Sequence, residues 1–455
     1  MRTRPLGQRM KNEVMEKNSI ERIMQKGKII SGRRTFLHLS FTFLISHFSF
    51  LICSAQTTDS LIVETLRQSN IRFSHDNSVT LLLSGQEKFD DMFQAIRQAK
   101  SSIHLEYFNF RNDSIASLLF DILREKRKEG VEVRAMFDGF GNDSNNQPLK
   151  KYHLKALRED SIDIVEYSPI RFPWVNHIFG RDHRKIVVID GQIAYTGGMN
   201  VADYYIKGTE QVGEWRDMHC RIEGDAVNEL QAIFMRIWNR TTGENVSGMK
   251  YYRGGTLTRF SDLKPDTTST KGRKMVGIIN REPGVTPKIM RTFYINAINQ
   301  AKDSIHIINP YFTLIPSVTR ALTRAIRRGV KVEIMLSSKS DIPLTPDCAL
   351  YQARKLQKRG ARVWLYKPGF HHSKIMMVDG LYCTVGSTNL DARSLKCDFE
   401  ENAVIIDKAT TRELDDMFWR DKQKSFEMND QTWDEFRTGW QKFRGWFAHL
   451  LQPLL

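Results

Sequence analysis

Cysteine is scarce in this chain, 5 in 455 residues. One, Cys53, falls in an N-terminal leader, and Cys220, Cys348, Cys383 and Cys397 follow no zinc-site or redox spacing, so buried free thiols are expected there. Carboxylates are also in deficit, 52 against 68 Lys and Arg, giving a net charge of +16. Much of that is local: the first 34 residues hold ten Lys or Arg against three Glu, a charge of +7, which leaves +9 (16 − 7) for the remainder. Such an excess suits an anionic substrate or a membrane surface and is too weak to demand nucleic acid. Long uncharged apolar runs are missing but for Thr35–Cys53, 19 residues behind Arg33-Arg34. Basic then apolar is the order of a signal sequence, with Cys53-Ser54-Ala55 before Gln56 as a small-residue cleavage site. The alternative is an uncleaved anchor, although His38 and His47 make it a poor span. Either way the bulk of the chain is expected outside the cytoplasm or at the membrane.

What the chain does have is a repeat. Asp182-His183-Arg184-Lys185, four apolar residues, Asp190 and the tail Gly197-Gly198-Met199-Asn200 return as His372-Ser373-Lys374, Asp379 and Gly386-Ser387-Thr388-Asn389. The offset is constant, 372 − 183 = 189 and 389 − 200 = 189. One His-x-Lys with a later Asp arises by chance in a chain with 12 His; two copies in register, each with its Gly-x-x-Asn tail, do not. The flanks repeat as well: Ala99–Leu105 matches Ala301–Ile307, and Glu129–Val133 matches Arg328–Val332. Helical spacing over Phe89–Lys100, a strand over Ile103–Phe108, a helix over Ser114–Glu129 and a strand over Val131–Phe137 predict βα units feeding a sheet covered by helices. The length leaves room for two such domains, each with a core of its own.

The repeat also states a chemistry. The apolar run closed by Asp-Gly reads as a buried strand ending in a tight turn, and alternation puts His183 with Lys185, and His372 with Lys374, on one face. A neutral imidazole beside an ammonium suits a phosphoryl target, the Lys gripping an anionic oxygen while the His attacks or moves a proton. Asn200 and Asn389 could add hydrogen bonds to the same oxygens. Transfer through a covalent intermediate asks for a nucleophile on one side of phosphorus and an acid on the other, which two halves packed about a pseudo-two-fold would supply. A metal site would draw on His177, His183, His371 and His372, but Lys beside each motif His repels a cation, and no metal or other cofactor is expected.

The double motif resembles the phospholipase D superfamily, and flanks such as His104–Phe108, Trp215–His219 and Asn389–Ser394 resemble its cardiolipin synthase branch. The resemblance runs from about Val79 to the C-terminus. It implies an α/β fold of two duplicated α/β/α sandwich domains with the active site at their interface. It implies His183 as nucleophile and His372 as general acid then base, or the two roles exchanged, with Lys185, Lys374, Asn200 and Asn389 on the phosphoryl oxygens and no metal. Asp217 and Glu400 fall where the family places carboxylates behind the two rings, with Glu401 pointing away. Asp190 and Asp379, named in the motif, sit seven residues past their His and read as turn carboxylates. The implied reaction joins two phosphatidylglycerol molecules into cardiolipin and glycerol; hydrolysis as a phospholipase D, or a nuclease or other phosphodiesterase of the same fold, is the alternative.

The expected layout is a leader over 1–56, domains over 57–247 and 275–430, a polar linker over 248–274 and an aromatic C-terminal helix over 431–455. Trp433, Phe436, Trp440, Phe443, Trp446, Phe447 and Leu450 recur there at helical spacing with Arg and Lys on the flanks, as in a helix lying in the headgroup layer, the alternative being a helix packed on the second domain. Between Tyr167 and His183 lie 15 residues including Phe172, Pro173, Trp174 and Phe179, against five between Tyr366 and His372. This longer loop is expected to overhang the first motif, where it lines a lipid channel, dips into the bilayer surface or is simply a packed loop. Phospholipid and a membrane surface are the expected partners, without nucleic acid, and the cell membrane, extracytoplasmic side, the expected location.

Overall fold

A computed structural model describes Leu66 and residues 71–170, 178–255 and 274–450. The leader, Phe172, Pro173, Trp174, His177 and most of the linker lie outside these residues. The first half supplies β1 (Phe73–Leu82), β2 (Ser102–Tyr107), β3 (Glu132–Asp138), β4 (Asp163–Tyr167), β5 (Ile186–Ile189), β6 (Ile193–Gly197), β7 (Glu214–Arg216) and β8 (His219–Gly224). The second supplies β9 (Lys274–Arg281), β10 (Ser304–Ile308), β11 (Lys331–Ser337), β12 (Arg362–Tyr366), β13 (Gly369–His371), β14 (Ile375–Val378), β15 (Tyr382–Gly386), β16 (Glu400–Ile406) and β17 (Ser425–Glu427).

Fifteen of these strands form one sheet in the order β17-β12-β11-β10-β14-β15-β16-β9-β1-β8-β6-β5-β2-β3-β4. Read outward from the antiparallel β9–β1 pair, both directions give the same succession except for β17, which has no counterpart beyond β4, so the duplication is a pseudo-two-fold about that pair. The βα units account for the outer strands: β2–β3–β4 and β10–β11–β12 run parallel, as helical crossovers require.

Each half is layered on both faces. In β5, Val187 and Ile189 pack with Phe89, Met92, Ile96, Leu119 and Leu123 of the helices Gly85–Gln98 and Ser114–Lys128. Ile186 and Val188 face Val227, Leu230 and Ile233 of the helix Ala226–Thr242. A strand buried on both faces has no polar alternation, which is why the motif carries four apolar residues in a row. The second core continues through Ile375, Met377, Val385 and Leu414, so the halves share apolar packing as well as a sheet. Cys220, Cys348 and Cys383 are buried, Cys397 is half-buried, and all four are free thiols.

The expected C-terminal helix is two: Asp430–Phe436 and Gly439–Leu450. Arg437 is extended between them, its guanidinium on buried Asp347, and Thr438 starts the second helix by accepting the Gln441 N–H at 3.2 Å. Among the described residues no helix is long and apolar enough to cross a membrane.

Candidate active site

Each motif turn closes at Asp-Gly, with Asp190 and Asp379 both at φ 54. Asp190 accepts the N–H groups of Lys100, Ser101 and Ser102 at 2.8, 2.7 and 2.9 Å. Asp379 does the same for Lys302, Asp303 and Ser304 at 2.9, 2.8 and 2.9 Å. These carboxylates pin the turn to the start of β2 or β10, at the far end of the strand from the histidines.

His183 and Lys185 lie in the extended lead-in to β5 rather than on the strand itself, and His372 and Lys374 stand likewise before β14. Each lead-in is held by the opposite half. The segment before His372, β13, pairs in parallel with β7 so that His371 sits beside Arg216, and the His372 N–H reaches the Arg216 carbonyl at 2.6 Å. The next residues in register are therefore His372 and Asp217, and His372 Nδ1 lies 2.7 Å from Asp217 Oδ2. The same construction recurs where Asp182 bridges Phe399 and the His183 N–H donates to the Phe399 carbonyl at 3.1 Å. The next residues are His183 and Glu400, and Nδ1 lies 3.1 Å from Oε1. Each histidine is thus oriented by the other half's carboxylate.

The lysines and asparagines complete one enclosure. Lys185 Nζ donates to the His183 carbonyl, and Lys374 Nζ lies 2.8 Å from His372 Nδ1, 3.0 Å from Nε2 and 2.5 Å from the His372 carbonyl. Asn200 and Asn389 are buried, each with its side-chain oxygen unpartnered among the described residues. Burial, then Lys185 and Lys374 together, push the His183 imidazole well below its usual range. Burial and Lys374 push His372 down to about 4 against the pull of Asp217. Lys374 falls to about 7 through burial, opposed first by Asp217 and worsened by Lys185. Burial would raise Asp217, yet Lys374 and His372 hold its carboxyl below the ordinary range, whereas burial lifts Glu400 to about 7 despite Lys185. Groups from both halves therefore act on one another as a single electrostatic unit.

The fold and this pairing agree with the comparisons. The family model described as cardiolipin synthase, PLD-like domain, matches residues 92–238 and 294–422, one stretch in each half. The chain belongs to the cardiolipin synthase-like branch of the phospholipase D superfamily. It is 34% identical over 397 residues, 87% of this chain and 78% of the other, to cardiolipin synthase 2 of Staphylococcus epidermidis. It is 35% identical over 397 residues, 87% and 77% of the two chains, to the cardiolipin synthase of Staphylococcus aureus. The crystal structure of phosphatidylserine synthase from Haemophilus influenzae has the same fold, with a TM-score of 0.64 at 15% identity, covering 87% of this chain and 100% of that one.

Several residues of this cardiolipin synthase-like site escape a reading of the motifs. Arg184 pairs with Glu106 at 2.7 Å and Asp182 at 3.0 Å, and Asp138 accepts the Asp182 N–H at 2.8 Å, all buried; together they fix the first lead-in. In the second half His371 and Arg216 share Asp421 instead, at 3.1 and 2.6 Å. Glu401, expected to point away, does so, but it is built in: it accepts from Thr196 Oγ1 at 2.6 Å, lies under Lys185, and is raised to about 8 by burial. Lys88 is fully buried with Nζ 3.1 Å from the Asn200 carbonyl. Among the described residues Trp215, Phe370 and Tyr311 wall His372 at 5.5, 5.4 and 5.8 Å between ring centres, and Phe108 stands at 5.0 Å from His183. Of the loop expected to overhang the first motif, Phe179 is described and exposed.

Proposed function

We propose that the chain is a phosphatidyltransferase that joins two phosphatidylglycerol molecules into cardiolipin and glycerol through a phosphohistidine. The observation that carries this reading is the exchange of carboxylates between halves, which brings two oriented imidazoles and two lysines to one place. His183 serves as nucleophile. Its Nε2 has no hydrogen-bond partner among the described residues, whereas the His372 ring has Lys374 Nζ against both of its nitrogens. The His183 lone pair attacks phosphorus of the first lipid, the P–O bond to glycerol breaks, and His372 gives its Nε2 proton to the departing oxygen. Neutral His372 then takes the hydroxyl proton of a second phosphatidylglycerol; that oxygen attacks phosphorus, the P–N bond breaks, and His183 is released.

Lys185, Lys374, Asn200 and Asn389 hold the non-bridging oxygens through both steps. The anionic phosphodiester offsets the lysine charges that depress His372, so binding raises its affinity for the proton it must donate. The halves act as two domains, 57–247 and 275–430, each contributing one His-Lys pair. The substrate resides in a bilayer, so the protein works at the cell membrane, and the basic-apolar leader supports the extracytoplasmic side.

The test is lipid analysis of vesicles containing phosphatidylglycerol, incubated with wild type and with His183→Ala. Cardiolipin and glycerol formed by the wild type alone are the expected result. Phosphatidic acid in their place makes water the acceptor, and cleavage of oligonucleotides without lipid turnover overturns the reading.

A further inference from the structure

The helix Gly439–Leu450 is amphipathic in an unusual sense. Its inner face, Gly445 and Ala448, packs on the helix Thr345–Gln357 so closely that a Cβ on Gly445 would meet the Asp347 carbonyl oxygen at 2.6 Å. Arg444 joins Arg437 on the Asp347 carboxylate at 2.7 Å, which locks the helix in place. Its outer face is aromatic and open to solvent: Trp440, Phe443, Trp446, Phe447 and Leu450 are 65, 50, 45, 47 and 57% exposed. Trp440, Trp446 and Phe447 gather around Phe443 with ring centres 5.5, 5.7 and 6.4 Å from it. A rigidly mounted apolar cluster of this kind marks an interaction surface.

Beside it runs a groove of about 540 Å³ that shares His449 with the same helix. Arg320, Arg324, Arg327, Lys355 and Arg359 also line it, and no carboxylate does. The three arginines stand at i, i+4 and i+7 along the helix Pro316–Arg327, which holds no acidic residue. None of the five cations pairs with a carboxylate among the described residues; Arg324 reaches Asn299, Arg359 reaches Thr323, and Lys355 reaches His449 and lies over the Tyr351 ring. A solvated helix face normally mixes signs. This one collects a single sign next to an aromatic cluster, and the complement of that pair is an anionic headgroup above acyl chains.

We propose that the aromatic face and the basic groove together dock the protein on an anionic phospholipid bilayer, the groove taking phosphate headgroups separately from the catalytic pocket. The proposal rests on the lipid substrate proposed above, since the same bilayer presents that substrate. The full chain is mixed with vesicles of bromine-bearing phosphatidylglycerol or phosphatidylcholine, and tryptophan quenching is followed as lipid is added. The wild type is expected to show a quenching component with phosphatidylglycerol that is absent in Trp440→Phe/Trp446→Phe. The same component should need roughly 100-fold more lipid in Arg320→Gln/Arg324→Gln/Arg327→Gln, at about fivefold per surface arginine. Equal quenching of the arginine variant and wild type overturns the groove, and an unchanged signal in the tryptophan variant overturns the aromatic face. Turnover of detergent-dispersed phosphatidylglycerol is measured alongside and is expected to be unchanged in both variants. A wild type that is quenched yet turns over no dispersed lipid refutes the proposed reaction and leaves the docking surface standing.

Discussion

The exchange of carboxylates can be tested as a division of labour. In Asp217→Asn the side chain keeps its shape but loses the charge 2.7 Å from His372 Nδ1. A hydrogen bond to a charged group is worth about 1.5–3 kcal/mol, and it is needed most when His372 is cationic. An amide can also turn its NH2 toward Nδ1, which leaves the proton on Nε2 and the wrong tautomer for accepting one; a buried carboxylate lost from a catalytic histidine costs about 10⁴ in kcat in the serine protease triad. The expected loss on phosphatidylglycerol is therefore about 10² to 10⁴ in kcat. The assay compares this lipid with phosphatidyl-p-nitrophenol, whose leaving group departs without a proton. With the nitrophenyl lipid, the burst of nitrophenolate in Asp217→Asn should stay near wild type, because only the acid step has been damaged. In Glu400→Gln the burst should fall together with lipid turnover, since Glu400 orients the nucleophile. Thermal melting checks that both variants fold. Bursts that fall equally in both variants refute separate roles, and the opposite pattern assigns the nucleophile to His372.

Three further outcomes are expected. Asp190→Asn should lower stability by about 1–2 kcal/mol through weakened bonds to three N–H groups, while turnover per folded molecule stays within about threefold. Those bonds hold the Asp190 carboxyl below its usual range although burial opposes them, so the stability is present above the unfolded-state value and lost as pH falls through the folded one; the gap between the two proteins in melting temperature should close in acid. Gly198→Ala would place a Cβ 2.2 Å from Asp217 Oδ1; pushed off His372, the carboxylate should leave a kinetic pattern matching Asp217→Asn. In the pH profile, kcat/KM for phosphatidylglycerol should fall above about 7 as Lys374 of the free enzyme loses its proton. The corresponding limb in kcat should lie higher, because a bound phosphodiester favours the ammonium, and a kcat/KM flat to pH 9 would contradict this assignment of charge.

The repeat was legible because the motif spaces its chemistry along one strand and turn, where order in sequence is order in space. His183, Lys185 and Asp190 could be read as one device before any fold was known, and the Asp217 and Glu400 positions followed from the family resemblance. Which carboxylate serves which histidine was not legible. That depends on a three-residue pairing of β13 with β7 and a single bridge from Asp182 to Phe399, contacts too short to leave a periodic trace. Lys88 could have been found, since it falls on the buried stripe of Phe89, Met92 and Ile96 where a lysine needs a reason to be. The charged run Arg181–Lys185 carried a similar hint, because a strand buried on both faces is entered through charges only if they are paired.

The C-terminal aromatics showed an amphipathic segment, but spacing alone could not reveal that Arg437 and Arg444 fasten it to Asp347. The differences between the halves matter more than their likeness. A strictly two-fold site would take a phosphodiester in either direction. Gly198 makes room for Asp217 where Ser387 donates to Glu400. Among the described residues three aromatic rings stand around His372 against one at His183, and Lys374 lies against both ring nitrogens of His372 while Nε2 of His183 has no partner. In the reaction proposed above, these asymmetries favour departure of the glycerol on the side of His372 and retention of the phosphatidyl group on His183, the direction that the burst assay tests.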